Sequence, residues 1–380
     1  MTGRERIIGV LEGRRPDRVP WSPQLTRTFF LGIREYADRF RSPDLPGPID
    51  HYLVPDELAW RVAWYRARGA AFQDWLPPGV TARHVRCRRT ERIAGDRLFE
   101  ELATPVGTLT SERAATSEAG SYHPVKLLLG GPDDLRVFED AVRDLVYEER
   151  HAEMASRLAI IGDAGAALVN GPSAPLQRLL LGDLGIEGSF LALADHPREM
   201  ASLMSAMHES GLAQCRVLAG SPGRVVVTGN VTGTGMLSPE LYRRHVEPCV
   251  AEYAAILRAA GKLPLSHASG EPVAPIRDRV RATGVAGVHG LALGSDEVEA
   301  LAAAWSAGPT GSTPGPAAWG GLSPAFLARA TPDEAALAAA GLIARNGARL
   351  GLALGSTDDC VAGTPDPVFE AVACAAEEAR

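Results

Sequence analysis

The chain reads as an α/β protein, a (β/α)8 barrel with an N-terminal extension and a β-hairpin insertion, on three observations. From about residue 150, amphipathic helical stretches alternate with short apolar runs, the order expected of a parallel sheet with helical crossovers. Runs near residues 166, 224, 262, 286, 318 and 349, with one near Val19 and one near Ile160 or in the hairpin region, approach eight staves. The runs also deliver polar side chains at their ends: Ala166-Ala-Leu-Val-Asn170, Val225-Val-Val-Thr-Gly-Asn230, Lys262-Leu-Pro-Leu-Ser-His267, and Gly287-Val-His289 within its run. The last run opens into Thr357-Asp358-Asp359-Cys360. Parallel α/β proteins meet their ligands at the carboxyl ends of strands. The rival architecture, a doubly wound open sheet, usually carries a glycine fingerprint after an early strand, and none is present.

In chain order, Glu5 to Gly13 reads as a short amphipathic helix with Ile7, Ile8, Val10 and Leu11 on one face and Gly13 as its stop. Pro16-Asp-Arg-Val-Pro-Trp21 is a turn into a first strand, and the proline- and acid-rich 42–55 stretch is a loop. Leu98-Phe-Glu-Glu-Leu102 and Thr104-Pro-Val-Gly-Thr-Leu-Thr110 form the hairpin. Pro132-Asp-Asp starts a helix, with proline in the first turn and acids that suit the helix dipole. Further helices are expected over Glu149–Gly162, Pro197–Leu218, Pro239–Ala260, Ile276–Thr283, Ser295–Ala304, Pro332–Arg345 and Pro367–Glu378. The stretch from Gly308 is a long loop over the barrel mouth that ends in a strand near Trp319. Residues 1–380 are read as one domain.

With 46% hydrophobic residues and 22% charged, the chain can bury a substantial core. A formal charge of −7 argues against nucleic-acid or anionic-membrane partners. No apolar stretch approaches the ~20 residues a bilayer requires. The charged N-terminus is not a secretory signal. Five scattered cysteines with no CxxC pair suggest neither disulfides nor a zinc ribbon. A soluble, cytoplasmic protein acting on a small molecule is expected.

A catalytic metal takes about three His, Cys, Asp or Glu ligands and keeps one position open. His267, His289 and Asp358, Asp359 or Cys360 could converge on one mouth as an N,N,O or N,O,S set, suited to zinc or another divalent ion. Each has a plainer reading. His267 could bond the backbone, and His289 sits inside an apolar run as a core histidine would. Asp358 and Asp359 could cap a turn, and Cys360 could be a small buried filler. Asn170 and Asn230 could orient a substrate or cap the next helix. The Gly229–Gly235 loop lacks the spacing of a phosphate loop.

Arg4-Glu-Arg6, Leu11-Glu-Gly13 and Pro16-Asp-Arg-Val-Pro20 resemble the opening of uroporphyrinogen decarboxylase superfamily proteins. So do Thr104–Thr110, Tyr122-His-Pro-Val-Lys126 and Pro132-Asp-Asp. The strongest likeness is Leu237-Ser-Pro-Glu-Leu-Tyr242, then Val246-Glu-Pro248, leading to Pro264-Leu-Ser-His267-Ala-Ser-Gly270. The likeness runs on to Asp359 and Pro365. It implies a (β/α)8 barrel, and either a decarboxylase or one of the methyltransferases that work with corrinoid proteins, coenzyme M or folate. Many of those methyltransferases hold zinc through His-x-Cys and a later cysteine. The matching positions here are His267, Ser269 and the Asp358-Asp359-Cys360 cluster, so serine stands where the thiolate would be.

Of the acids, the resemblance points to Asp359. It places Arg27 and Tyr122 at the substrate cavity and makes Ser269 a substrate contact. The decarboxylase's arginine-rich segment corresponds to Ser22-Pro-Gln-Leu-Thr-Arg27, one arginine where several anionic groups need partners. The expectation is therefore a metal-dependent methyltransferase, with His267, Asp359 and Asn230 catalytic. Its metal, zinc or another divalent ion, would sit on His267, His289, Asp358 and Asp359. The acceptor would be a thiol or a corrinoid carried on a separate protein, and homodimers are common in the family. The alternatives are a lyase of an unidentified carboxylic acid and a non-catalytic ligand-binding relative.

Overall fold

A computed structural model describes residues 1–40, 54–115, 122–305, 315–347 and 351–379. In chain order the strands are β1 (Phe72–Leu76), β2 (Val80–His84), β3 (Arg88–Ala94), β4 (Arg97–Thr104), β5 (Gly107–Ala115), β6 (Tyr122–Lys126), β7 (Leu145–Glu149), β8 (Gly165–Asn170), β9 (Val225–Val227), β10 (Leu263–His267), β11 (Gly287–Leu291), β12 (Ala317–Leu322) and β13 (Leu352–Ser356). Seven of them form a curled parallel sheet in the order β1-β8-β9-β10-β11-β12-β13.

The gap between β13 and β1 is closed by the segment around Trp21. Trp21 bridges Leu354 in parallel. The N–H of Ser22 donates to Leu354 O at 2.8 Å, and on the other side Ala71 N–H donates to Trp21 O at 2.7 Å. The ring thus has eight staves, the first of them no longer than a bridge, which is the barrel expected from the sequence.

Inward residues alternate along each stave. Ala166, Leu168, Val225, Val227, Leu265, Trp319 and Ala353 share one buried cluster with Ile7, Ile8, Val10 and Leu11 of the first helix, Gly3–Leu11. That helix therefore plugs the N-terminal end of the barrel. A capping box between Thr2 and Glu5 fixes its start. Each large apolar side chain buried there contributes about 1.5–3 kcal/mol. With the N-terminal end filled, a ligand site is left to the C-terminal end, where parallel barrels meet their ligands.

Three elements differ from expectation. The second stave is β1, Phe72–Leu76, while Ile160 lies in the helix His151–Ile161. The run Phe-Gln-Asp-Trp-Leu reads poorly as a strand because Gln73 and Asp74 interrupt it; both are buried and partnered inside the fold. The hairpin is part of a four-stranded antiparallel sheet, β3-β4-β5-β6, and the expected start of a helix at Glu149 is instead β7, paired with β2. The helix expected over Pro239–Ala260 is two, Pro239–His245 and Glu247–Ala259, because Pro248 has no N–H to continue the first.

The antiparallel insertion has its own core. Leu102 and Leu109 pack with Leu135, Phe138 and Val142 of the helix Pro132–Arg143 and with Met200, Leu203 and Met207 of Pro197–Ala219. Most of the expected 42–55 loop, and the first part of the loop from Gly308, lie outside the described residues. Among the described residues no helix is long and apolar enough to cross a membrane.

Candidate active site

The register of the sheet sets His267 opposite His289, and His289 opposite Trp319. The two imidazoles meet Nδ1 to Nδ1 at 2.9 Å, with ring planes 28° apart. Nε2 of His289 lies 3.0 Å from Gln73 Oε1. Trp75 packs edge-on to both rings, at 5.2 Å from His267 and 6.1 Å from His289, and Trp319 closes on His289 at 5.0 Å. Burial pushes the His289 imidazole well below its ordinary pKa, and His267 adds to the effect. Burial also lowers His267, against the pull of Asp358.

Gly290 makes this pair possible. Its φ is 75°, at a bulge in β11, and a Cβ there would stand 2.8 Å from His267 Cε1 and 2.9 Å from Thr357 O. Any side chain at 290 would wedge His267 away from the loop that follows β13.

That loop brings the acids. Gln24, just beyond the Trp21 stave, donates its N–H to Ser356 Oγ at 2.8 Å and its side-chain Nε2 to Asp359 Oδ1 at 2.5 Å. Asp359 N–H donates to Asp358 Oδ1 at 2.8 Å. Burial drives the Asp359 carboxyl up, to about 7; Gln24 opposes the shift, and Asp358 and Asp74 reinforce it. Asp74 is ion-paired with Arg61 at 2.7 Å, and Arg61 is only 1% exposed. Arg61 also donates to Leu25 O at 2.6 Å and lies over the Phe30 ring at 4.6 Å.

The expected residues divide into those gathered and those held elsewhere. His267, His289, Asp358 and Asp359 come to one rim, with Asp358 close enough to act electrostatically on His267. Asn230 donates to Ser173 Oγ at 3.1 Å, and Asn170 ends β8 opposite Val227. Ser269 and Val231, in the loops after β10 and β9, both hold φ of 51°, an uncommon conformation for any residue other than glycine and a strained one for valine. Arg27 is committed to Glu57 at 3.2 Å and to Phe40 O at 3.0 Å. Tyr122 opens β6, opposite Ala115 in the antiparallel sheet, and no described contact joins it to the histidines. Cys360 is buried and its thiol is pushed up to about 12.

Both ring nitrogens of His289 are hydrogen-bonded, one to His267 and one to Gln73. Sequence reading missed Gln24, Arg61, Gln73, Asp74 and Trp75. Gln24 follows the first stave directly, so the strand-end rule that found the others would have found it.

Outside the mouth, His84, Cys87 and Asp144 offer ligand atoms that all lie within 4.8 Å of one another. Among the described residues this is the one such group, and the mouth residues do not close to that spacing. The trio could hold a metal, but its carboxylate is heavily engaged. Asp144 Oδ2 accepts the N–H groups of Val85, Arg86 and Cys87 at 2.8–2.9 Å, and Oδ1 accepts Arg86 Nε at 3.0 Å.

Comparison with known proteins fits this geometry. A solved structure of a methyltransferase from Methanosarcina mazei superposes with a TM-score of 0.60 over 100% of this chain and 99% of its own, at 14% identity, a likeness of fold. A 141-residue stretch, 37% of this chain, is 28% identical to protein translocase subunit SecA 1 from Corynebacterium efficiens. The chain spans 15% of that relative, too small a share to carry the translocase's activity across. Residues 151–375, more than half the chain, match the uroporphyrinogen decarboxylase (URO-D) family, taking in β8 to β13 and with them His267, His289, Asp358 and Asp359. The chain belongs to the uroporphyrinogen decarboxylase (URO-D) family.

Proposed function

We propose that this chain is a methyltransferase that moves a methyl group from a small methylated donor to a thiol, or to a corrinoid carried on a separate protein. The observation that carries the reading is the convergence of His267, Asp358 and Asp359 at the C-terminal end of a barrel whose N-terminal end is plugged. The overall fold likeness to a methyltransferase supports it.

The donor chemistry of the mouth bears on a metal. A zinc held by the His-x-Cys pattern does not fit: position 269 is serine, and Cys360 is packed into the buried apolar core. The donor types suit a divalent ion held by nitrogen and oxygen, which would have to draw the mouth donors closer together than they stand here. His267 keeps Nε2 outside its bond to His289, Asp358 acts on it electrostatically, and the adjoining Asp359 carboxyl is pushed toward neutrality chiefly by burial. His267, Asp358 and Asp359 would hold such an ion, which would supply Lewis acidity to an acceptor thiol.

The chain's own residues account for the rest. Trp75 and Trp319 wall the site and exclude water. Asn170 and Asn230, at the neighbouring strand ends, offer neutral donors and acceptors to a polar substrate. As the new S–C bond forms, the thiol gives up its proton and the donor's heteroatom–carbon bond breaks. Where Asp359 is not a ligand, burial holds its carboxyl at about 7, and it can protonate that heteroatom.

The same Asp359 favours a second reading, in which a lyase without methyl transfer uses the carboxyl as its general acid. Incubating the purified protein with methylamines, methyl ethers and methyl thioethers plus a thiol, and watching for the S-methyl product, tests the choice. Turnover that falls at least about a hundred-fold in His267→Ala and Asp359→Asn supports methyl transfer. Loss of carbon dioxide from an acid, with no methylated thiol from any donor, replaces it with the lyase.

A further inference from the structure

We propose that Gln73 and His289 are positioning residues that fix the tautomer of His267, holding its proton on Nδ1 and leaving Nε2 as a bare lone pair. The inference rests on the reading of His267 as the mouth's working donor, and it follows from counting protons along a chain of two hydrogen bonds.

Gln73 presents its amide oxygen, Oε1, to His289 Nε2 at 3.0 Å. With the Gln73 amide in this orientation, which leaves its Nε2 buried without a partner, the oxygen facing His289 only accepts, so His289 carries its hydrogen on Nε2. His289 is fully buried, and neutral imidazole has one N–H. Its Nδ1 is therefore an acceptor. A bond of 2.9 Å between two Nδ1 atoms holds one proton, so that proton belongs to His267. His267, whose burial also disfavours the charged form, then has none left for Nε2.

The surroundings enforce the order. Trp319 stands at 87° to the His289 ring and Trp75 at 82°, so a turn that exchanged the ring's nitrogens would have to be made against both indoles. Backbone bonds lock the neighbouring turns. His267 N–H donates to Gly229 O, Thr232 N–H to His267 O and Ala268 N–H to His289 O, at 2.7–2.8 Å. A neutral amide at position 73 is what the device requires. A carboxylate there would draw a second proton onto His289 and reverse the direction of the shared bond.

The consequence is chemical. Nε2 of His267 can accept a proton or ligate a cation without first losing a hydrogen, and the relay does this with no charge placed in the barrel interior. Partners of this kind, which orient a histidine through its far nitrogen, typically change metal affinity by about 10–100-fold when removed.

Long-range 1H–15N correlation spectra of metal-free, 15N-histidine-labelled protein near pH 7 test the inference. Signals are assigned from the peaks missing in His267→Ala and His289→Phe. The expected spectrum shows His289 protonated on Nε2 and His267 on Nδ1. Gln73→Leu should leave His267 exchanging between tautomers and weaken cobalt(II) binding by about 10–100-fold. A wild-type spectrum with His267 protonated on Nε2 overturns the inference, as does an unchanged tautomer in folded Gln73→Leu. If Gln73→Leu does not fold, the wild-type spectrum decides alone. The expected tautomer in a protein that binds no metal and transfers no methyl group would remove the functional reading and leave the relay standing.

Discussion

The imidazoles of His267 and His289 share a single hydrogen bond, Nδ1 to Nδ1 at 2.9 Å, although the two residues lie on different strands. The bond ties the more accessible ring to the fully enclosed one. His289→Phe keeps an aromatic ring of similar size but strands Gln73 Oε1 and His267 Nδ1. The expected loss is about 1–3 kcal/mol in urea unfolding, the cost of a buried polar group without a partner. Turnover should fall with it, and wild-type turnover in a folded variant contradicts the pair's role.

Ser269 lies two residues beyond His267, where the family resemblance implies the cysteine of a His-x-Cys motif. Ser269→Cys restores His-x-Cys on a backbone already held at φ of 51°. The expected outcome is tighter zinc binding and a thiolate-to-metal absorption band in the cobalt(II)-loaded variant that the wild type lacks. A variant with the same cobalt spectrum as the wild type would place residue 269 outside the donor set.

Arg61 and Asp74 form an ion pair almost wholly removed from water beneath the acids. Asp74→Asn leaves the guanidinium charged and uncompensated, and the expected cost is about 3–5 kcal/mol by urea unfolding. Combining it with Arg61→Met should recover part of that loss, because the stranded charge goes too. A single-variant cost below about 1 kcal/mol would show the pair to be dispensable.

Asp144 anchors the 85–87 turn. Burial alone would raise its carboxyl, but the N–H groups of Cys87 and Arg86 and the Arg86 guanidinium outweigh it and hold the group well below the usual carboxylate range. The folded state thus favours the ionised form. The stability it contributes is present above the unfolded value of about 3.9 and drains away as pH falls below that toward the folded value. Asp144→Asn should cost about 3 kcal/mol at pH 7. The gap from wild type should narrow between pH 4 and pH 2 in thermal melts, and a gap independent of pH contradicts this account.

Much of this was legible in the sequence, for physical reasons. The staves from Gly165 onward announce themselves because buried parallel strands are continuous apolar runs, and the polar residue at each end marks where the core stops. That found His267, His289 and the Asp358–Asp359 pair. The stave Phe72–Leu76 stayed hidden because its buried face carries Gln73, whose polarity is matched only by His289 far along the chain. That both nitrogens of His289 are hydrogen-bonded, to His267 and Gln73, could not be seen in the sequence, which shows a side chain and not its partners. The His84–Cys87–Asp144 group left no motif, since Asp144 stands 57 residues beyond Cys87.

The central claim is that His267 and the acids beside it, and not the trio at Asp144, form the working centre. Elemental analysis of purified wild type, His267→Ala and His84→Ala tests it most directly. The account predicts about one divalent ion per chain, kept in His84→Ala and lost in His267→Ala. Metal kept in His267→Ala and lost in His84→Ala would contradict it.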